Sequence, residues 1–239
     1  MKAFTLIKKE LRLYFNSPIA VILLIFFLLF TSIWLFFIQR FLTQNVASLR
    51  SYFGIMPILF ILIIPALTMR SWSEEKKTGT DELLVTLPFT ELQLVLGKYT
   101  ASLVLLALML ILTIPVPLTL SPLGNFEAGQ IITEYAGIFL LGSAGIAIGQ
   151  FLSSLSKNQI SAFIFSALVL LAITLISQVA SMADLPRWLA GFINFISLDF
   201  HFTSFKKGLL DSRDILYFLI LIYLFLFLNV KVLIFKKWL

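Results

Sequence analysis

Residues Ile19–Ile38 read IAVILLIFFLLFTSIWLFFI, a run without one charged side chain. A helix rises about 1.5 Å per residue, so roughly 20 apolar residues cross the ~30 Å hydrocarbon core of a bilayer. Working outward, five further runs of this kind follow: Phe53–Met69, Tyr99–Leu118, Tyr135–Leu152, Gln159–Ser177 and Ile215–Ile234. The one charge among the six is Lys231, close enough to the end of its run to snorkel to the headgroups. Strands of a membrane barrel would be shorter and would alternate apolar with polar residues, which these do not. The expected fold is therefore an all-α integral membrane protein of six transmembrane helices.

The composition agrees. Hydrophobic residues make up 60% of the 239 positions and charged residues 13%, and the mean hydropathy is +1.02. A soluble domain of this size has too much surface for its volume to hide that much apolar area. No cysteine is present, which rules out disulfides, thiolate metal sites and cysteine nucleophiles. The net charge of +6 sits on residues flanking the apolar runs, where membrane topology rather than nucleic acid explains it. The first run is too long for the apolar core of a secretory signal, and no small-residue cleavage site follows it. It is expected to remain as the first span.

Lysine and arginine set the orientation. One side would carry Lys2, Lys8, Lys9, Arg12, Arg70, Lys76, Lys77, Lys98, Lys157, Lys231, Lys236 and Lys237, and the other Arg40, Arg50, Arg187, Lys206, Lys207 and Arg213. The richer set includes both ends of the chain, so both termini are expected in the cytoplasm. The loop Ser121–Glu134, acidic at Glu127 and Glu134, is expected outside.

Three segments are neither span nor simple loop. Residues 2–16 place Phe4, Ile7, Leu11 and Tyr14 at helical spacing opposite Lys2, Thr5, Lys8, Lys9 and Arg12, before Asn16-Ser-Pro18 interrupts the pattern. This predicts an amphipathic helix in the headgroup plane. Between the second and third runs lies a long mixed-charge loop. Within it Thr78-Gly-Thr-Asp81 signals a short helix carrying Glu82, Leu83 and Leu84 that Pro88 ends, and Thr90-Glu-Leu-Gln93 is a capping box opening the third span. So short a helix is unstable alone in water and must dock on lipid or on a partner. Residues 183–214 hold two apolar half-helices, one with Trp188, Leu189, Phe192, Phe195 and Ile196 and one with Phe202, Phe205, Leu209 and Leu210. Both are too short to span, and they are expected to dip into the outer leaflet, bounded by Asp184, Pro186, Gly208 and Asp211–Asp214. Gly142, Gly145 and Gly149 on the fourth run include a GxxxG pair, which lets another helix approach, more readily within the chain than between chains. Pro57, Pro65, Pro115 and Pro117 mark expected kinks.

Catalytic chemistry is sparse. His201, the sole histidine, stands two residues from Asp199, too small a set for a metal site of ordinary coordination. Gly97-Lys98 is followed by Tyr99, and Leu92 occupies the place of the first Walker glycine, so no P-loop is present. The runs also lack the ionisable residues of a proton relay. An energy source on another chain is expected.

Arg70-Ser-Trp-Ser-Glu-Glu-Lys-Lys-Thr-Gly-Thr-Asp-Glu-Leu-Leu-Val-Thr-Leu-Pro88 resembles the acidic-basic, Thr-Gly-Thr, Glu-Leu-Leu and Pro-ended stretch of membrane subunits of type-2 ABC exporters, the ABC-2 permeases. Asp199-Phe-His-Phe, Lys207-Gly and Asp211-Ser-Arg-Asp214 resemble that family's motif before its last helix, and the nearest branch is the gliding-motility and nitrous-oxide-maturation-like one. The resemblance extends over essentially the whole chain, as a single membrane domain over 1–239 with an interfacial helix at 1–17, a coupling loop at 70–92 and an outer segment at 183–214. It implies a non-catalytic permease in the bacterial inner membrane that binds no cofactor itself. Its partners would be a second permease chain, the same or related, and cytoplasmic ATPases holding ATP and Mg. The coupling residues would be Arg70, Glu74, Glu75, Lys76, Thr78, Gly79, Thr80, Glu82, Leu83 and Leu84, with the glutamates pairing with basic groups on the ATPase. Trp188, Phe192, Phe195 and Phe202 would form an outer gate. The competing reading is a membrane scaffold that recruits partners without transport.

Overall fold

A computed structural model describes residues 2–43, 48–80, 89–124, 126–182 and 186–237. The described residues include six helices long and apolar enough to cross a membrane: Pro18–Ile38, Met56–Thr78, Glu91–Leu120, Ala128–Leu155, Gln159–Val179 and Ser212–Phe235. They are called spans 1 to 6 below. Helix α1 (Lys2–Asn16) precedes them, and Ser17 caps the start of span 1, its Oγ accepting from the Ile19 amide. Span 1 is α2 (Pro18–Ile33) continued by a π turn over Trp34–Ile38, where the Trp34 indole donates to the Ser51 carbonyl at 3.0 Å. Helix α3 (Arg50–Gly54) leads into span 2, made of α4 (Met56–Thr68) and α5 (Arg70–Thr78).

Span 3 is α6 (Glu91–Thr113) followed by α7 (Pro115–Leu120); span 4 is α8 (Ala128–Leu155) and span 5 lies in α9 (Gln159–Met182). Two short helices, α10 (Arg187–Ile196) and α11 (Leu198–Lys206), precede α12 (Ser212–Lys237), which holds span 6. The first short helix covers its predicted apolar residues, whereas the second starts at Leu198 and stops before Leu209 and Leu210, where Gly208, at φ +77°, turns the chain.

Span 4 is the hub, packing against spans 2, 3, 5 and 6 and against α11. In spans 2 and 4 some 67% of the apolar stretch is buried, against 22% of spans 1 and 5 and 11% of span 6. The glycines of span 4 explain the close approach. A Cβ on Gly142 would fall 2.7 Å from Leu106 Cδ2, one on Gly145 2.6 Å from Ile64 Cδ1, and one on Gly149 against the Thr68 hydroxyl. Small residues let helix backbones meet where lipid supplies no hydrophobic driving force between them. The core between these spans is Phe27, Phe53, Phe60, Ile64, Leu105, Met109 and Ile148, with Phe202, Phe205 and Phe218 toward the α11 end.

Several boundaries differ from the sequence expectation. Arg70–Thr78, expected as loop, is helix, because Ser71, Trp72 and Ser73 are buried and Gly79, at φ +70°, provides a left-handed C-terminal cap. Span 3 opens at Glu91 as the Thr90 capping box predicts, and span 4 begins ahead of its apolar run, so the two helices enclose Lys98 and Glu134. Pro57 lies in the first turn of α4, where the missing N–H is harmless, so the expected kink reduces to Pro65 inside the helix and the break at Ile114–Pro115. On α1 the buried residues are Leu6 and Glu10, while Ile7, Leu11 and Tyr14 are only half-buried. The helix is seated on span 3. The reason is Gly97, whose missing side chain leaves the space that Leu6 fills.

Candidate functional site

The polar groups that unite these elements gather at the end of the bundle that carries α1. Thr90 opens span 3 with the expected capping box, its hydroxyl accepting from the Gln93 amide at 3.3 Å and its own amide donating to Gln93 Oε1 at 3.2 Å. Two turns further along, Lys98 points inward with its side chain 4% exposed. Its Nζ lies 2.7 Å from Glu75 Oε1 on α5 and 3.3 Å from Glu10 Oε1 on α1. The ammonium also sits 5.0 Å from the centre of the Trp72 ring, a cation–π contact that strengthens as water is excluded. One lysine thus ties α1, span 2 and span 3 together. A buried ion pair is a weak net stabiliser but a strong constraint on geometry, since separating its members leaves an uncompensated charge out of water.

Around this centre the junction of α4 and α5 is pinned to span 4. Ser153 Oγ accepts from the Trp72 and Ser73 amides at 3.1 and 3.3 Å and donates to the Met69 carbonyl at 3.2 Å. Lys76 donates to the carbonyls of Ser154 and Ser156 at the C-terminal end of α8, where a cation satisfies leftover acceptors and complements the helix dipole. On the opposite side Arg70 Nη1 donates to Ser17 Oγ at 2.9 Å, and its Nε lies 3.8 Å from Glu74. The Tyr14 hydroxyl bonds Ser102 Oγ at 2.9 Å and reaches the Leu67 carbonyl at 3.3 Å. Burial holds the Tyr14 phenol above its ordinary range, so it stays a protonated donor. A cleft of about 640 Å³ remains between these elements, lined by Leu13, Leu23 and Leu67 together with Glu10, Arg70 and Glu74.

The coupling stretch divides accordingly. Glu74 stays exposed, whereas Glu75, expected to meet a partner's basic rim, is turned to Lys98. Arg70 and Lys76 are engaged within the chain. Thr78, Gly79 and Thr80 form the turn that closes α5, with the two threonine hydroxyls 2.9 Å apart. Asp81, Glu82, Leu83, Leu84 and Pro88 lie outside the described residues, as does Asp184.

At the far end Trp188, Phe192 and Phe195 are exposed on α10, while Phe202 is fully buried, with Lys206 over its ring. Asp199 pairs with Lys206 at 2.9 Å, and His201 pairs instead with Asp214 at 2.6 Å, across the turn that precedes span 6. Asp199 and His201 thus do not form a joint site, in keeping with the sequence reading that the two are too small a set. No group of three potential metal ligands occurs among the described residues.

Glu10 and Lys98 were missed as functional candidates, although each left a trace. Glu10 interrupts the 6, 10, 14 stripe of α1 that packs inward, and Lys98 follows a capping box that already opens the helix at Glu91. Ser153 left no sequence signal.

Six apolar spans, an ion-paired cluster walled in at one end and two short helices at the other define a multi-pass helical membrane protein whose polar groups work at its ends. A family model described as ABC-2 family transporter protein matches residues 38–228. The chain belongs to that family and is a membrane component of such a transporter, a class that works with an ATPase. A comparison of the sequence with curated proteins finds no match.

Proposed function

We propose that this chain is the membrane-spanning permease subunit of an exporter of the bacterial inner membrane, driven by ATP that a separate cytoplasmic ATPase hydrolyses with Mg. In this reading both termini are cytoplasmic, and a second permease chain, the same or related, completes the pathway. The resemblance of the Arg70–Pro88 and Asp199–Asp214 stretches is what supports assigning it to the gliding-motility and nitrous-oxide-maturation-like branch. It carries no catalytic residue and no cofactor of its own.

The observation that supports the reading is the continuity of α4 with α5 in span 2, which ends at the Gly79 cap and is braced by Lys98 and Ser153 against α1, span 3 and span 4. A push on the residues that follow Gly79 is thereby delivered to four membrane elements at once. Leu83 and Leu84 would dock in a groove of the ATPase as a helix-in-groove contact. Glu74 and Glu82 would set register at the rim. Truncating Leu83 and Leu84 to Ala is expected to lower copurification of the ATPase and the ATPase activity of the complex together, while membrane insertion persists. Wild-type copurification and hydrolysis in that variant would remove the coupling assignment. A partner ATPase that binds but whose hydrolysis never responds to this chain would favour the scaffold reading.

A further inference from the structure

The joint between α10 and α11 is held by side chains from three directions. Ser197, between the two helices, caps α11 by accepting from the Phe200 amide at 3.4 Å and bonds Ser177 of span 5 at 2.9 Å. Tyr217 of span 6 donates its hydroxyl to the carbonyl of Ile196, the last residue of α10. His201 faces two groups at once: Nδ1 is 2.6 Å from Asp214 Oδ1 and Nε2 is 3.1 Å from the Phe195 carbonyl. The Tyr217 ring stacks on the imidazole at 3.8 Å with an 18° tilt. Both His201 and Asp214 are buried.

The proton count decides what this arrangement is. A backbone carbonyl only accepts, and an ionised carboxylate only accepts. A neutral imidazole has one N–H, so it satisfies one of the two and turns a lone pair toward the other. Both contacts are hydrogen bonds only when His201 and Asp214 together hold one further proton. Three features favour that proton on the ring. A carboxylic acid is ordinarily the stronger acid of such a pair, the stacked phenol offers a π face, and the carbonyls of Phe195 and Ile196 are C-terminal acceptors of α10 at the negative end of its dipole.

We propose that His201 and Asp214 form a proton-binding site, an imidazolium–carboxylate pair whose occupancy latches the C-terminal end of α10 to span 6. When the proton leaves, His201 keeps Asp214 or Phe195 but not both, so the bridge from α10 through the imidazole to Asp214 is broken and fewer contacts hold the end of α10. The helix released carries the exposed aromatic row Trp188, Phe192 and Phe195. The elements packed against α11 also carry Tyr217 and Arg213 on span 6, Glu134 on span 4 and Arg50 on α3, with Asp211 ahead of span 6 and Asp199 and Lys206 on α11 itself. Among the described residues, the groups that span 5 and α10 bring to the joint are the neutral Thr174, Ser177, Gln178 and Phe195.

The chain has one histidine and no cysteine, which makes the test direct. The full chain, purified through a histidine-free tag into lipid nanodiscs, is labelled with ¹⁵N-histidine and followed by NMR from about pH 5 to about pH 8, the range over which imidazoles change charge. A spin label on Phe192→Cys is followed over the same range. At the acid end both ring nitrogens are expected to carry protons, and label mobility should rise along the same titration curve as the second proton leaves. His201→Gln should abolish the pH response of the label. A ring that is neutral at about pH 5 would overturn the proposal, as would mobility that does not track the ring, or a pH response that survives in His201→Gln. The NMR measurement needs no substitution, so a variant that fails to fold leaves the test intact.

Discussion

Lys98 shows how one side chain can control an assembly without contributing much to its stability. Enclosed with Glu10 and Glu75, it neutralises carboxylates that would otherwise sit out of water. Lys98→Met is expected to destabilise the protein by about 3–5 kcal/mol, the usual effect of removing one partner from a buried pair. The triple change that adds Glu10→Gln and Glu75→Gln should recover most of that loss, measured as thermal unfolding in detergent. Recovery of stability without recovery of ATPase stimulation would assign Lys98 to transmission rather than to folding. A single-variant loss within the range of surface substitutions would mean that the cluster is hydrated. Asn229 makes the opposite case. It is fully buried on span 6, and both polar atoms of its amide lack a partner among the described residues. Asn229→Leu is therefore expected to raise stability by about 1–3 kcal/mol, the penalty otherwise borne by an unsatisfied buried amide. A fall in stability instead would reveal a bound water or ligand at that position.

Among the elements, spans 2 and 4 form the rigid pair, and their contact depends on absent side chains. Gly145→Val would drive a branched side chain into Ile64, whose Cδ1 already stands 2.6 Å from the place of a Cβ. That substitution is expected to cost about 1–3 kcal/mol through overpacking, with the loss read from the unfolding midpoint. Ile64→Ala in the same chain should relieve part of it, because paired volume changes at one contact are not additive. Helix α10 behaves differently. Trp188 and Phe192 are exposed, while the Phe195 ring meets His201 and Tyr217 edge-on, so Phe192→Asp with Phe195→Asp should lower the unfolding midpoint only through the Phe195 contacts. In the proposed function the same pair impairs export while ATPase binding persists. Export at the wild-type level in that variant would reduce α10 to a passive plug.

For the molecule as a whole, orientation is the property to measure first, since it decides which end meets an ATPase. Single cysteines introduced at Thr80, Glu127 and Lys157, all exposed, are expected to label from opposite sides of intact cells. Glu127→Cys should react with an impermeant reagent from outside, and Thr80→Cys and Lys157→Cys only after the membrane is opened. Reversed accessibility would move the Lys98 cluster to the outer face and remove the coupling reading with it. The sequence by itself determined that the chain is a six-span helical membrane protein, because apolar length against bilayer thickness needs no partner information. It also determined the capping box at Thr90, the stop at Gly208 and the paired short helices, all of which follow from local backbone chemistry. Only the tertiary structure decided that Arg70–Thr78 continues span 2, that Glu75 turns inward, and that His201 belongs to Asp214 rather than Asp199. Those outcomes depend on Ser153, Lys98 and Tyr217, residues brought close from distant positions in the chain. Hydropathy assigns charges to loops by default, and it cannot register that a lysine on one helix is neutralised by glutamates on two others.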